Sequence, residues 1–345
     1  MTSAFFVPIV DIGAWVGNGS PQERERVARE LDRACRTVGF MQVTGHGVPD
    51  SAIAGLARAI DDFFGRPLAE KKRYVRPAAE DRGYSPPKSE SLSYSLGVDP
   101  VTRMNDFFEA YNVGASAADY PGSGVSAADY APNTWPDDAF RALVEPYFAE
   151  ARRVAHTLTD IIAVALGVDA AFFERFAGHS LDVLRMNNYA LDPGEIDLGA
   201  DLIGMGEHTD FGIVTVLWAD RIAGLQVLGT DGVWHDVQPA EGALLVNLGD
   251  IAARLTNDVW MSTLHRVKPP VINGMIERRR SAAFFHDGNV EALIETLPHF
   301  KGEGFRYDPV TVKEHITAKL NGSRAGVKNL GASREAARVR AAGPG

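Results

Sequence analysis

His208, Asp210 and His265 are the residues whose types and spacing could do chemistry. His208 and Asp210 stand two apart in Gly206-Glu207-His208-Thr209-Asp210. Along an extended strand side chains alternate faces, so this spacing aims both groups the same way. His265 comes far downstream, on a strand that folding must bring alongside. Two imidazoles and one carboxylate, with open positions opposite them, make the facial triad of non-haem Fe(II) oxygenases. Arg279 and Ser281 repeat the two-residue spacing. A guanidinium and a hydroxyl on one strand face form a fork for a carboxylate. A metal set and a carboxylate set together predict an iron enzyme with a dicarboxylic co-substrate.

Each piece alone is weak, because short matches of this kind arise by chance. Context adds weight: among 9 histidines, His208 heads the single His-x-Asp of the chain. Zinc could also fill a His/His/carboxylate site. Hydrolytic zinc sites carry a general-base carboxylate beside the metal, as in His-Glu-x-x-His, and no such motif occurs. Glu207 adjoins the triad but points to the opposite strand face, which suits a structural or supporting role. Glu277 to Arg280 is a charge run that could simply be solvated. Alternation turns Arg279 and Ser281 inward with Ala283 and Phe285, and leaves Arg278 and Arg280 outside. His46, between turn glycines, reads as a turn residue rather than a ligand. Cys35 reads as a small buried hydrophobe rather than a reactive thiol.

The elements that must position these groups follow from pattern. Val7 to Ile12 and Phe40 to Thr44 read as strands. Ser20-Pro21-Gln22-Glu23 starts a helix with an N-cap, a first-turn proline and a capping-box acid, and Gly39 ends it. A second helix runs from about Ser51. From Pro67 to Pro136 regularity fades, with Arg82-Gly83-Tyr84 read as turn and Gly114 to Pro132 as loop. Long irregular regions are often functional, so Arg82, Tyr84, Arg103 and Glu109 are candidates for substrate contact. Asp137 or Asp138 opens a long helix that Gly167 stops, its apolar stripe being core. A shorter helix covers Asp169 to Phe176. After Ser180, short strand-like runs follow quickly: Val183 to Ala190, Gly212 to Leu217, Gly224 to Leu228, Val233 to Val237, Ala243 to Leu248, Val259 to Val267 and Arg279 to Phe285. Many short strands indicate a sandwich or jelly roll. Val310 to Leu320 is the last expected helix.

The domain organisation expected is residues 1–135 as a mixed α/β region with substrate-contact loops, 136–320 as the long helix plus catalytic core, and 321–345 as a flexible basic tail. The 345 residues can bury a sizeable core. A net charge of −10 argues against nucleic-acid or anionic-membrane surfaces. The apolar run Phe5 to Val10 is interrupted by Pro8 and has no basic flank, so no signal peptide is expected. With one cysteine there is no internal disulfide, and a cytoplasmic setting is expected.

The chain resembles the isopenicillin-N-synthase-like branch of Fe(II)/2-oxoglutarate-dependent dioxygenases. The resemblance spans nearly its whole length: VPIVDIG, GFMQVTGHGVP, LRMNNYAL, GEHTDFGIVTVL, GLQVLGTDGVWHDV, LLVNLGDIAARLTNDVWMSTLHRV and RRRSAAFFHDGN. It implies an α+β fold with a mainly β core, a distorted double-stranded β-helix (jelly roll, cupin-like) flanked by helices. It implies His208, Asp210 and His265 as Fe(II) ligands, and Arg279 and Ser281 as the grip on the distal carboxylate of 2-oxoglutarate. Asn187 and Tyr189 stand where relatives often carry an Asn-x-Tyr near that co-substrate, with Asn188 where they commonly have a second aromatic. The implied activity is oxidation of a small molecule by hydroxylation, desaturation or cyclisation, with O2 consumed, succinate and CO2 released, and ascorbate in support. Secondary metabolism, including antibiotic biosynthesis, is the expected setting. The alternative within the branch is an oxidase that uses Fe(II) and O2 without 2-oxoglutarate, its Arg-x-Ser holding a substrate carboxylate. A jelly-roll binding protein that had lost its chemistry is a further alternative, which the intact triad disfavours.

Overall fold

The computed structural model describes residues 5–97, 107–190, 205–269, 271–272, 275–302, 304, 306–329, 331, 332, 334 and 337. Strand β1 (Ile9–Asp11) lies parallel to β2 (Phe40–Thr44). Between them run the short α1 (Gly13–Val16) and α2 (Pro21–Thr37). Helix α2 starts on the capping box read from sequence: Ser20 N donates to Glu23 Oε2 at 2.7 Å and Glu23 N to Ser20 Oγ at 3.3 Å. Its Val27, Leu31, Ala34 and Cys35 are buried, which bears out the apolar reading of the thiol. Helices α3 (Asp50–Phe64) and α4 (Leu68–Lys71) follow.

The region expected to be irregular contains two strands, β3 (Gly83–Ser85) and β4 (Glu109–Gly114). The long helix α5 (Asp138–Leu166) is capped by Asp137, whose Oδ1 accepts from Phe140 N at 2.8 Å. It stops at Gly167, whose φ of +63° is the left-handed conformation that glycine adopts without strain. After α6 (Phe172–Ala177) come β5 (Val183–Tyr189), β6 (Met205–His208), β7 (Val214–Ala219), β8 (Leu225–Leu228), β9 (Trp234–Asp236) and β10 (Leu244–Leu248). Helix α7 (Asp250–Leu255) was not anticipated. Strand β11 is only His265–Val267, shorter than expected. The residues before it turn, with Trp260 N donating to Thr256 Oγ1. A small hairpin of β12 (Val271–Ile272) and β13 (Met275–Ile276) leads to β14 (Arg279–His286).

An eight-stranded sheet has the order β1-β2-β10-β7-β14-β5-β4-β3, and a four-stranded sheet the order β6-β11-β8-β9. Strands β1 to β4, all from the first 135 residues, are therefore part of the same sheet as the core. The two sheets face each other as a jelly roll, and the cavity between them is lined from both. The outer face of the large sheet is dry: Phe148 of α5 packs edge-on to Phe284 of β14, ring centroids 5.2 Å apart. Strand β5 is buried along its whole length, because one face meets the helices and the other the cavity. Among the described residues no helix is long and apolar enough to cross a membrane.

The last helix differs from expectation. Helix α8 (Val312–Ala325) runs past Leu320, so Asn321 to Arg324 are helix rather than tail. Its Glu314 completes a capping box with Thr311, and Ser91 N donates to Ser323 O at 2.8 Å. Arg324 is buried against Asp81 and stands 3.8 Å from Glu90. Burial pushes the Glu90 carboxyl up, but Arg185 and Arg324 more than offset it and hold it at about 2.

Removing one partner of a buried ion pair strands the other charge, so Arg324→Ala should cost about 3 kcal/mol at pH 7 in urea unfolding. Glu90 sits below its ordinary 4.5, so its contribution is present above that pH and is lost as pH falls toward 2. The deficit of the variant should shrink over the same window. A variant as stable as the parent at pH 7 would return Arg324 to an unstructured tail.

Candidate active site

The antiparallel pairing of β6 with β11 sets His208 opposite His265, and their rings approach to 4.1 Å between centroids. Strand β6 ends at His208, so Asp210 reaches the site from the turn beyond it rather than from the strand. The ligand atoms of the three residues all lie within 4.8 Å of one another. His208 Nε2 and His265 Nε2 stand 3.9 and 3.6 Å from Asp210 Oδ1.

Each imidazole is fixed through its other nitrogen. His208 Nδ1 lies 2.8 Å from Gly206 O and His265 Nδ1 3.0 Å from Thr263 O. A carbonyl only accepts, so Nδ1 carries the proton and Nε2 keeps its lone pair for the centre of the site. Burial, then the neighbouring His265, push His208 down to about 3, which keeps it neutral. Asp210 is held in the same fashion. Its Oδ2 accepts from Thr215 Oγ1 and Asn247 Nδ2, both at 2.6 Å, leaving Oδ1 toward the histidines. Asp250 fixes the turn: its N–H donates to Asp210 O at 2.9 Å, and its carboxylate accepts from Thr209 and Ser262 and pairs with buried Lys319 at 2.6 Å.

These supporting groups were missed in the sequence. The signal was available: Thr215 and Asn247 are polar residues inside otherwise apolar strands, Val214–Ala219 and Leu244–Leu248. A buried polar side chain in such a run needs a partner.

Arg279 and Ser281 lie on β14 as alternation required, each 2 % exposed and lining the cavity. They pair in register with Tyr189 and Asn187 of β5. The Arg279 guanidinium stacks 5.0 Å from the Tyr189 ring centre. Among the described residues its buried Nε and Nη1 have no hydrogen-bond partner, so donors of fixed charge are left for an anionic ligand. Asn187 Oδ1 accepts from Arg185 at 3.2 Å. On the opposite face Arg278 and Arg280 are half-exposed and tie β14 to Asp61 of α3. Glu207 is structural, 3.2 Å from Arg266.

The expected substrate contacts are corrected. Tyr84 and Glu109 bond to each other at 2.5 Å, and Glu109 also meets Lys71 at 2.7 Å and Asn188 at 2.9 Å. This cluster holds β3, β4 and β5 together and does not line the cavity. Arg82 donates to Ala115 O at 2.7 Å and is structural too. Arg103 lies outside the described residues. The cavity, about 980 Å³ including its mouth, is lined from that part of the chain by Asp81, Glu90, Leu92 and Asn112 instead. His46 is a turn residue, its Nδ1 accepting from Val48 N and its Nε2 3.0 Å from Gly242 O.

Comparison with known proteins agrees with this geometry. Residues 7–138 match the model for the N-terminal region of non-haem dioxygenases in morphine synthesis, and residues 181–288 that of the 2OG-Fe(II) oxygenase superfamily. A 2-oxoglutarate-Fe(II) type oxidoreductase of Emericella nidulans is 31% identical over 90% of this chain and 88% of its own. The validamycin A dioxygenase of Streptomyces hygroscopicus subsp. limoneus is 31% identical over 91% and 85%. A full-length Neurospora crassa protein crystallised with alpha-KG and thymine superposes with a TM-score of 0.78 at 26% identity, covering 93% of this chain and 98% of that one. Three converging ligand atoms suit Fe(II), and the unpaired donors of Arg279 suit the dianionic co-substrate. The chain belongs to the 2OG-Fe(II) oxygenase superfamily and is an iron(II)- and 2-oxoglutarate-dependent dioxygenase.

Proposed function

We propose that His208, Asp210 and His265 hold the iron and that Arg279 and Ser281 grip the distal carboxylate of 2-oxoglutarate. Tyr189 supports Arg279 through its ring face, and Asn187 flanks the same carboxylate beside Ser281. The observation that carries this reading is one cavity holding both three convergent metal-ligand atoms and a buried guanidinium with two unpaired N–H groups. When bound, iron and 2-oxoglutarate activate O2, releasing succinate and CO2 and oxidising the substrate. The chain's own residues orient and insulate. The Nδ1 bonds lock both rings, Thr215 and Asn247 aim Asp210, and Phe40, Leu217, Leu225 and Val267 wall the cavity with apolar surface that excludes water.

The substrate is proposed to be a small molecule of secondary metabolism. The pocket lies between the two sheets and is lined on one side by α8, a setting that suits a small molecule. A cytoplasmic setting is proposed from the single buried Cys35.

The direct test is succinate formation from 2-oxoglutarate by purified protein with Fe(II), ascorbate and air. His208→Ala and Asp210→Ala should bring it to background without loss of fold by circular dichroism, and full activity in either would remove the metal assignment. Arg279→Ala should raise the 2-oxoglutarate KM about 10- to 100-fold, in line with loss of a charge-assisted pair. An unchanged requirement would favour the oxidase, in which this arginine holds a substrate carboxylate. Thr215→Val with Asn247→Ala should weaken Fe(II) binding roughly 10- to 100-fold in a metal titration. Unaltered affinity would show that Asp210 needs neither partner.

A further inference from the structure

The cavity continues past the triad on the side away from Arg279, and one side chain there has no assigned task. Asp287 follows β14 directly, in step with Arg279, Ser281, Ala283 and Phe285, and lines the same space. It is 6 % exposed, and no group among the described residues donates a hydrogen bond to it. Gly212, two residues beyond Asp210, lies against it: a Cβ at that position would stand 2.1 Å from Asp287 Oδ1. Glycine alone permits this approach, which sets the carboxyl group beside the triad. Burial first, then Asp182, Asp81 and Asp210, push its pKa well above the usual carboxylate range. A buried carboxyl group without a partner costs stability, and among the described residues this one faces the cavity instead of a hydrogen-bond donor.

The unpaired atoms of the cavity are sorted by kind. At the Arg279 end they are donors, Nε and Nη1. At the far end they are acceptors. Among the described residues Asn112 Oδ1 has no partner, and its amide is oriented by Nδ2 donating to Asp81 Oδ1 at 2.6 Å. Asp287 adds its carboxylate. Charge points the same way. Asp81, Glu90, Asp210 and Asp287 line the cavity against Arg185, Arg279 and Arg324. Among the described residues three carboxylates face three guanidiniums and the two charges of Fe(II) match those of 2-oxoglutarate, so an ionised Asp287 would be the one charge without a counterpart; a bound ammonium would supply that counterpart and draw the carboxyl group back into its charged form. Beside Asp287 the wall carries apolar residues, with Phe211 next to Gly212, Phe285 two residues before Asp287, and Ile316 and Leu320 of α8.

We propose that Asp287 anchors a protonated amine on the substrate, and that the enzyme oxidises an amine-bearing small molecule whose carbon frame lies against Phe211, Phe285, Ile316 and Leu320. The inference rests on the co-substrate reading above, which assigns the Arg279 end to 2-oxoglutarate. A substrate cation supplies both the missing counter-charge and the missing donors. An anion would meet Asp287 unfavourably, and a neutral alcohol would form only a neutral hydrogen bond with it, weaker than the charge-assisted bond of an ammonium.

The test uses the full chain loaded with Fe(II) and 2-oxoglutarate without O2. Dissociation constants are measured by calorimetry for benzylamine, benzyl alcohol and benzoate, and for the cyclohexylmethyl amine, alcohol and carboxylate. In each set the amine should bind at least about tenfold tighter than its two isosteres, roughly the weight of one buried charge-assisted hydrogen bond. In Asp287→Asn the preference should fall to within about threefold. Tightest binding of the carboxylates, equal binding of amine and alcohol, no binding of either amine, or a preference that survives Asp287→Asn would each overturn the proposal. The ligand-free Asp287→Asn protein should melt a few degrees higher than the parent, because an unpartnered carboxyl group is removed; a lower melting point would make Asp287 a structural residue and would also overturn it. Wild-type binding of 2-oxoglutarate in the same calorimeter separates the two readings. Its absence removes the co-substrate assignment, whereas its presence without amine preference removes only the role of Asp287.

Discussion

The pairing of one short strand with another, β6 with β11, is the contact on which the site depends. It sets His208 opposite His265 across the ladder, where side chains of facing residues are separated by roughly 5 Å on the same side of the sheet. A slip of one residue would turn one imidazole to the far face. Much of the small sheet can be understood as insurance of that register. Strand β8 pairs with β11 on its other edge from His265 to Val267, and β9 covers β8 in turn. Asp250 ties the turn that follows β6 to Ser262, just ahead of β11.

The second constraint is that groups meant for a ligand must be kept unpaired while everything around them is satisfied. Asp210 shows how this is managed within one carboxylate: among the described residues Oδ2 has two donors at 2.6 Å and Oδ1 has none. The histidines divide their two nitrogens in the same way. Arg279 is held by stacking on Tyr189 rather than by hydrogen bonds to its Nε or Nη1. Each device fixes geometry without consuming the atom that has work to do, which is what preorganisation requires.

The legible parts of the sequence were those with local causes. Capping boxes, stop glycines and helical periodicity gave α2, α5 and the start of α3 nearly to the residue. Strand alternation separated Arg279 and Ser281 from Arg278 and Arg280. What was not legible depended on distant partners. Strands β3 and β4 carry turn-like and aromatic residues, and exist because β5 offers an edge to pair with. Arg82, Tyr84 and Glu109 have types that suit substrate binding, yet tertiary packing turns them into struts. Arg324 sits in a basic, glycine-containing segment, and only the acids at 81 and 90 make it structural. Strands β1 to β4, from before residue 135, hydrogen-bond into the same sheet as the strands that follow.

Helix α8 closes the pocket with Ile316, Leu320, Ser323 and Arg324, yet it lies downstream of every strand that builds the metal centre. During synthesis the strands leave the ribosome first, so the iron-binding ladder can assemble while the cavity is still open on that side. Part of the pocket's selectivity is then among the last properties the molecule acquires. That part resides in one contiguous segment, beside the share carried by Phe211, Phe285 and Asp287 of the core. Exchange of that segment by recombination would give the same oxidising centre a new wall, a simple route by which one chemistry can spread across many substrates.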